Sequence, residues 1–209
     1  MDYYDRDYYE RGLETGKSNY QNYRWIPELT IPMAMAIIDH LEIKYGQTIL
    51  DWGCAKGYLV KAFRWLNRKA WGVDVSRYAV ENCDPEIQTF CRRFDFIFDL
   101  SKFSNFPVKF DFCIAKDVFE HMRKVILEET LENLKTDKLF VIIPFGKDGR
   151  YFSPPNNLDK SHIICEDLTW WMKFFTENRW NVTEFITQLN GIKDHHPLNS
   201  HGFFTMERM

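Results

Sequence analysis

The 209-residue chain has no basic excess, no paired cysteine motif and no long apolar run, and each absence removes a class of function. A formal net charge of -3 argues against wrapping a nucleic-acid backbone, which calls for a basic balance or stripe. Arg64, Arg68 and Lys69 come nearest to such a stripe and read as a solvated helix end. The five cysteines, Cys54, Cys83, Cys91, Cys113 and Cys165, are odd in number and contain no C-x-x-C pair. That excludes a disulfide or zinc framework and implies reduced thiols, so a cytoplasmic protein is expected. No apolar stretch approaches the ~20 residues that span a bilayer. The opening Met1-Asp2-Tyr3-Tyr4-Asp5-Arg6 is polar and carries no signal-peptide pattern. Asp159, His162 and the tandem His195-His196 are scattered and lack i, i+4 spacing, so no metal is expected.

What the chain has in quantity is aromatic rings, 18 Phe, 10 Tyr and 7 Trp, which fill cores or wall planar and cationic ligands. Residues 1–28 are polar and Tyr-rich, with Tyr3, Tyr4, Tyr8, Tyr9, Tyr20 and Tyr23, and fit neither helix nor strand for long. They are expected to form an arm or lid with short helical pieces; a strap packed on the core is the alternative. Residues 29–209 read as a single domain, with no internal repeat and no linker.

Within it, periodicity alternates. A helix runs from the Pro27/Pro32 region to about Leu41. A strand at 48–52, a Gly-containing loop, a helix at 58–66 and a strand at 70–74 make a strand–helix–strand unit, the building block of parallel sheets. A short helix capped by Ser76, a strand at 87–91 and a strand at 110–115 follow. Asp117 is expected to cap a long helix to about Leu134, before a strand at 139–144 and a loop at 145–164. A helix at 166–177 precedes strands at 180–188 and 201–207, which have no helix between them and should pair antiparallel. The expected fold is α/β, a Rossmann-like doubly wound sheet of seven strands, mostly parallel with an antiparallel C-terminal hairpin.

In such a sheet, ligands bind at the carboxyl ends of the strands. The loop Asp51-Trp52-Gly53-Cys54-Ala55-Lys56-Gly57 should face the ligand, its glycines turning the backbone sharply and letting it approach. The helix that follows offers its N-terminal N–H groups to the same space. The loop lacks the glycine spacing of G-x-G-x-x-G, and Gly57 is followed by Tyr58-Leu59 where a P-loop needs G-K-[ST], so neither phosphate motif fits.

The loop resembles the first motif, D-x-G-C-G-x-G, of class I S-adenosylmethionine-dependent methyltransferases, with Ala55 in place of the middle glycine. Gly72-Val73-Asp74-Val75-Ser76 is similar to the family's G-[VI]-D-x-S, with Asp74 23 positions after Asp51. Residues 110–121, Phe110-Asp111 through Glu120-His121, resemble the segment F-D-x-V-x-x-x-D-V-x-E-H, and residues 139–144 the fifth strand. The resemblance covers about residues 45–190. It implies S-adenosyl-L-methionine as cofactor and S-adenosyl-L-homocysteine as product. The implied binding residues are Asp51, Gly53, Cys54, Ala55 and Gly57 for the methionine part, Asp74 for the ribose hydroxyls and Val75 for the adenine face. Asp95, followed by Phe96, is the candidate for the adenine amino group, with Asp99 as alternative. Lys116, at the end of the fourth strand, and Tyr23 and Arg24, from the arm, are further candidates.

Methyl transfer from an activated sulfonium needs a positioned nucleophile, and an alcohol also benefits from a base, for which histidine is suited. His162, in the loop that overhangs the pocket, is the first candidate, with His121 and Asp117 beside the fourth strand. His40 reads as structural. The segment Lys116-Asp117-Val118-Phe119 lacks the [DNS]-P-P-[YF] of nucleic-acid amino-methyltransferases. The expected acceptor is therefore a small molecule, O-methylated, with a sugar or surface-glycan intermediate the first guess. Lipids, quinones and natural products are the alternative acceptors, and a nitrogen or carbon the alternative to oxygen. A non-catalytic cofactor-binding or partner-binding domain is the competing class, and a nicotinamide oxidoreductase is disfavoured by the missing glycines.

Overall fold

In the computed structural model, which describes residues 3–94 and 103–209, the strands follow the hydrophobic runs and the helices cover them on both sides. Two short helices, α1 (Arg6–Glu10) and α2 (Gly12–Thr15), precede α3 (Pro27–His40). Then come β1 (Thr48–Trp52), α4 (Tyr58–Trp65), β2 (Lys69–Asp74), α5 (Arg77–Glu81), β3 (Cys91–Arg93) and β4 (Phe112–Lys116). They are followed by α6 (Lys124–Asn133), β5 (Lys138–Pro144), a ribbon of β6 (Gly146–Lys147) and β7 (Arg150–Tyr151), α7 (Leu168–Glu177), β8 (Trp180–Ile186) and β9 (His201–Arg208).

Seven strands form one sheet in the order β3-β2-β1-β4-β5-β9-β8. The first five run parallel; β9 pairs antiparallel with both β5 and β8. The order of connection reverses between β1 and β4, and a crevice opens there at the carboxyl ends of the strands.

Because strand side chains alternate, the parallel strands feed two cores. Ile49, Ile114, Phe140 and Ile142 face α3 and α4 through Ile37, Val60 and Phe63. Leu50, Ala115, Val141 and Ile143 face α6 and α7 through Leu127, Leu131, Trp171 and Phe175. Truncating a buried aromatic such as Trp171 costs about 3–5 kcal/mol.

Two expectations are corrected. The helix expected from Asp117 begins at Lys124, because Asp117 sits at φ +54° and Phe119–His121 forms a tight 3-10 turn. The chain leaves Asp117 into the 3-10 turn and an extended Met122-Arg123 before α6 begins, and the seven residues 117–123 are left to shape the crevice wall. The strand expected at 87–91 is a 3-10 turn over Gln88–Phe90 followed by the three residues of β3. The turn lets Ile87 and Cys91 both close on Gly57, where an added Cβ would meet them at 2.6 and 2.7 Å. The ribbon β6–β7 turns on Asp148-Gly149, both at positive φ, the backbone that a two-residue hairpin demands.

The Tyr-rich arm folds back across the crevice, with Tyr8 and Tyr9 buried. Polar ties hold it. Ser76 Oγ donates to the Tyr4 carbonyl at 2.5 Å, Tyr78 Oη donates to Glu10 at 3.0 Å, and Tyr8 Oη donates to Asp159 at 2.9 Å. Lys56 also pairs with Glu10. No helix among the described residues is long and apolar enough to cross a membrane.

Candidate active site

Between the carboxyl ends of β1, β2 and β4 and the underside of the arm lies a cavity of about 790 Å³, within the range that holds cofactors and small substrates. One end is built by the first strand–loop–helix. Gly53 N and Cys54 N both donate to the Val73 carbonyl, at 2.8 and 3.0 Å, which folds the loop over the end of β2. Asp74 Oδ2 accepts from Ala55 N at 2.7 Å and Oδ1 accepts from Ser76 N at 2.8 Å, so one carboxylate sets the position of both loops. Burial, with the Asp74 carboxylate adding to it and Lys116 opposing, pushes the Asp51 carboxyl up to about 7. Two buried carboxylates side by side make this end a receptor for cationic groups and vicinal hydroxyls.

Cys54, Ala55, Val75, Lys116, Tyr23 and Arg24 all line the cavity, as do Asp51, Gly53 and Asp74. The bond with Cys91 would lower the Cys54 thiol, but burial and the Asp74 and Asp51 carboxylates push it up to about 12, so it stays protonated. Ala55 stands at φ +49°, a left-handed conformation that explains why the family pattern carries glycine there.

Gly57 is not among the lining residues, and the expected approach of its backbone to a ligand is corrected. Its φ of +73° starts α4, and its open face is filled by Ile87 and Cys91. Gly53 does line the cavity, yet an added Cβ would strike Val118 Cγ2 at 2.4 Å. The two glycines are required by packing within the protein. Asp95 and Phe96, with the alternative Asp99, lie outside the described residues. Phe94, directly before them, packs on Trp52 at 4.9 Å between ring centroids and walls the cavity near Val75.

The other end is assembled from distant segments. Asp117 bridges two lysines: Lys116 Nζ donates to its Oδ2 at 2.5 Å, and Lys193 Nζ lies 2.9 Å from its Oδ1. Burial alone would push this carboxyl up, but the two ammonium groups hold it well below the usual range. Next to it, His121 lines the cavity while Glu120 turns inward and is fully buried. His121 Nδ1 lies 2.7 Å from Ser161 Oγ, which donates at 2.5 Å to Asp159 Oδ1. Since the serine proton goes to the aspartate, Ser161 Oγ accepts from His121 Nδ1–H, and Nε2 is left as a lone pair. Burial, helped by neighbouring His162, lowers His121 to about 4, so the ring is neutral at neutral pH.

His162, the first sequence candidate for the base, does not line the cavity. Its ring stands behind His121, 4.5 Å away between centroids, and its Nδ1 donates to the Asn156 carbonyl at 2.8 Å. The loop that carries it is fastened by Ile163 N and Ile164 N, which both donate to the Glu120 carbonyl, at 2.8 and 3.0 Å. Glu120, Lys193 and the Ser161 link were not legible as site residues; each is an ordinary polar residue in sequence and gains its place only through loop contacts. His40 has the structural role expected, with Nε2 3.1 Å from Thr205 Oγ1.

A crevice at a strand-order switch, walled by buried carboxylates and a neutral histidine, defines a class: a group-transfer enzyme on a Rossmann-like sheet. The family model of the methyltransferase domain matches residues 43–196, and the chain belongs to that family. It is an S-adenosylmethionine-dependent, methyl-transferring enzyme. Among solved structures it is similar to an S-adenosylmethionine-dependent methyltransferase from Clostridium acetobutylicum (TM-score 0.62, 11% identity, 86% of this chain and 92% of that one). It is also similar to the magnesium protoporphyrin IX methyltransferase of Synechocystis, solved with S-adenosylhomocysteine (TM-score 0.60, 14% identity, 87% and 83%). A Haloferax volcanii methyltransferase solved with an activator protein is a third (TM-score 0.63, 14% identity, 87% and 90%). At these identities the likeness is one of fold. No curated protein matches the chain in sequence.

Proposed function

We propose that the chain methylates a hydroxyl of a small polar acceptor, with the donor held at the Asp51/Asp74 end of the cavity and the acceptor at the His121 end. The observation that carries this reading is that one continuous cavity joins the two carboxylates to the neutral histidine. S-adenosylmethionine supplies a methyl group already activated on a sulfonium. The protein's part is therefore to bind, align and dehydrate.

Asp74 would take the ribose hydroxyls, and Asp51 would face the cationic portion. Arg24 would reach the carboxylate of the methionine part, and Val75 with Phe94 would wall the adenine. Tyr4, Tyr8, Tyr9, Tyr20 and Tyr23 would roof the site and exclude water, which makes residues 1–28 a closing arm on the domain formed by 29–209. Burial holds all five of these tyrosines above the ordinary phenol range, so they are neutral donors.

The acceptor end would mix these rings with Asn19, Gln21 and Arg123, which also line the cavity. Amides and guanidinium groups beside aromatic faces suit a hydroxyl-bearing ring, and a sugar or glycan intermediate fits that chemistry. The acceptor's proton would leave towards His121 and the two proton acceptors behind it, Glu120 and His162; Asp117, tied to two lysines, would act by orienting. A thermal-shift panel with S-adenosylhomocysteine and NAD, joined to methyl-transfer assays on free and nucleotide-linked sugars, tests the reading. Stabilisation by NAD alone would overturn it.

A further inference from the structure

Behind His121 two imidazole lone pairs and a buried carboxyl meet with no hydrogen bond between them. Glu120 is fully buried, and neither of its carboxylate oxygens has a hydrogen-bond partner among the described residues. Its Oε1 lies 3.9 Å from His121 Nε2 and 4.0 Å from His162 Nε2. Both rings carry their single proton on the other nitrogen. His162 Nδ1 donates to the Asn156 carbonyl at 2.8 Å, and His121 Nδ1 faces Ser161 Oγ at 2.7 Å. The Ser161 hydroxyl is itself committed to Asp159 at 2.5 Å. Two imidazole lone pairs and a carboxylate thus converge with ligand atoms within 4.8 Å of one another.

Buried polar groups are almost always satisfied, and three such groups facing one another without a bond call for a positive centre. The nearby ammonium groups are committed elsewhere, Lys116 and Lys193 both to Asp117. The pattern around the cluster is that of ligands already oriented. Each histidine has its distal nitrogen anchored to a backbone carbonyl or a serine–aspartate link, the arrangement that fixes tautomer and ring direction around a metal. The backbone bonds from Ile163 and Ile164 to Glu120 hold the two ligand-bearing segments in register.

We propose that His121 Nε2, His162 Nε2 and the Glu120 carboxylate bind one divalent first-row transition-metal ion. Two imidazoles and one carboxylate suit Zn²⁺, Mn²⁺ or Fe²⁺ and disfavour Mg²⁺ and Ca²⁺, which prefer all-oxygen sets. A small inward movement of the three side chains brings them to the ~2.0–2.2 Å of metal–ligand bonds. Three protein ligands leave a coordination position open, and His121 is the ligand that borders the cavity. Resting on the function proposed above, that position is where the acceptor hydroxyl would bind and become acidic enough to lose its proton to solvent water, its oxygen then forming the bond to the methyl carbon as the donor's S–C bond breaks to leave S-adenosylhomocysteine. His121 then serves as a ligand rather than as the proton's destination. Read from sequence, the possible ligands are Asp159, His162 and His195-His196 rather than this set, whose ligands lie on two segments about forty residues apart.

The test is calorimetric titration of chelator-stripped, dialysed protein with Zn²⁺, Mn²⁺ and Mg²⁺, with metal content after gel filtration read by mass spectrometry. The expected result is one Zn²⁺ or Mn²⁺ per chain, weak or no response to Mg²⁺, and a higher melting temperature with metal. Glu120→Gln and His162→Ala should each weaken the metal by at least tenfold and abolish the melting shift, with the circular dichroism of the wild type. Metal-free wild-type protein that takes up no ion, or variants that bind as wild type does, would overturn the site. S-adenosylhomocysteine titrated into the same samples separates the two readings. Cofactor binding without metal binding sinks only the metal, and metal binding without cofactor binding sinks only the donor-site assignment.

Discussion

The two ends of the cavity are built in opposite ways. The Asp51/Asp74 end is framed by one continuous stretch, residues 48–75, in which strand, loop, helix and strand follow each other and backbone bonds to Val73 and Asp74 set the shape. The His121 end draws on the arm, the turn 117–123, the loop 153–164 and Lys193, and its shape rests on side-chain bonds between them. The first end is fixed by the fold itself. The second can vary loop by loop while the sheet stays the same, which is how one fold serves many acceptors.

That contrast predicts separable effects. The largest belongs to His121→Ala, which should lower methyl transfer by ~10²–10⁴-fold, the span of a lost proton-transfer or positioning group. Its affinity for S-adenosylhomocysteine should stay within about twofold, because the histidine borders only the acceptor end. Asp74→Ala should do the reverse. Losing the two charge-assisted bonds proposed to ribose should cost about 3 kcal/mol or more, ~100-fold in affinity, and the freed Ala55 and Ser76 amides should also lower the melting temperature.

Gly53→Ala strikes the joint between the ends. A side chain at φ +81° with its Cβ 2.4 Å from Val118 should cost about 2 kcal/mol or more, and adding Val118→Ala should recover part of it. A chemical denaturation series reads this directly, and full stability in the single variant would refute the packing role given to Gly53.

Much of the donor end was legible because its chemistry is local. The spacing of Asp51, Gly53 and Asp74 survives in any sequence that folds this strand–helix–strand, and the sheet order follows from alternating periodicity. The acceptor end was only partly legible. His121 and Asp117 could be placed by the strand they follow, whereas His162 was given a cavity-facing position that His121 holds instead. Nothing in the local sequence around residues 153–164 says that the Asn156 carbonyl will turn its ring inward. Glu120 was invisible for the same reason, since its burial is decided by Ile163 and Ile164 docking on its backbone.

Acid should loosen the second end first. His121 is held at about 4, His196 at about 4 and His201 at about 3, all lowered chiefly by burial from an ordinary value near 6.5. Their unfolded forms bind protons that the folded forms refuse, so stability is full above about pH 6.5 and falls as the pH drops towards 4. Asp51 has the opposite sign: its raised carboxyl stabilises the fold below the unfolded carboxylate value and the contribution is lost as pH rises towards 7. Asp51→Asn should therefore raise the melting temperature at pH 8 and leave it nearly unchanged at pH 4. The smallest effect is expected of Tyr8→Phe, which removes the bond to Asp159 and should cost about 1 kcal/mol, loosening the arm with little change in the sheet.

The central claim is that one cavity has a donor end and an acceptor end that can be broken independently. Calorimetric titration of S-adenosylhomocysteine into wild type, Asp74→Ala and His121→Ala measures it most directly. The account predicts single-site binding in wild type and in His121→Ala, and a loss of ~100-fold in Asp74→Ala with the fold intact by circular dichroism. Equal losses in both variants, or wild-type affinity in Asp74→Ala, would contradict it.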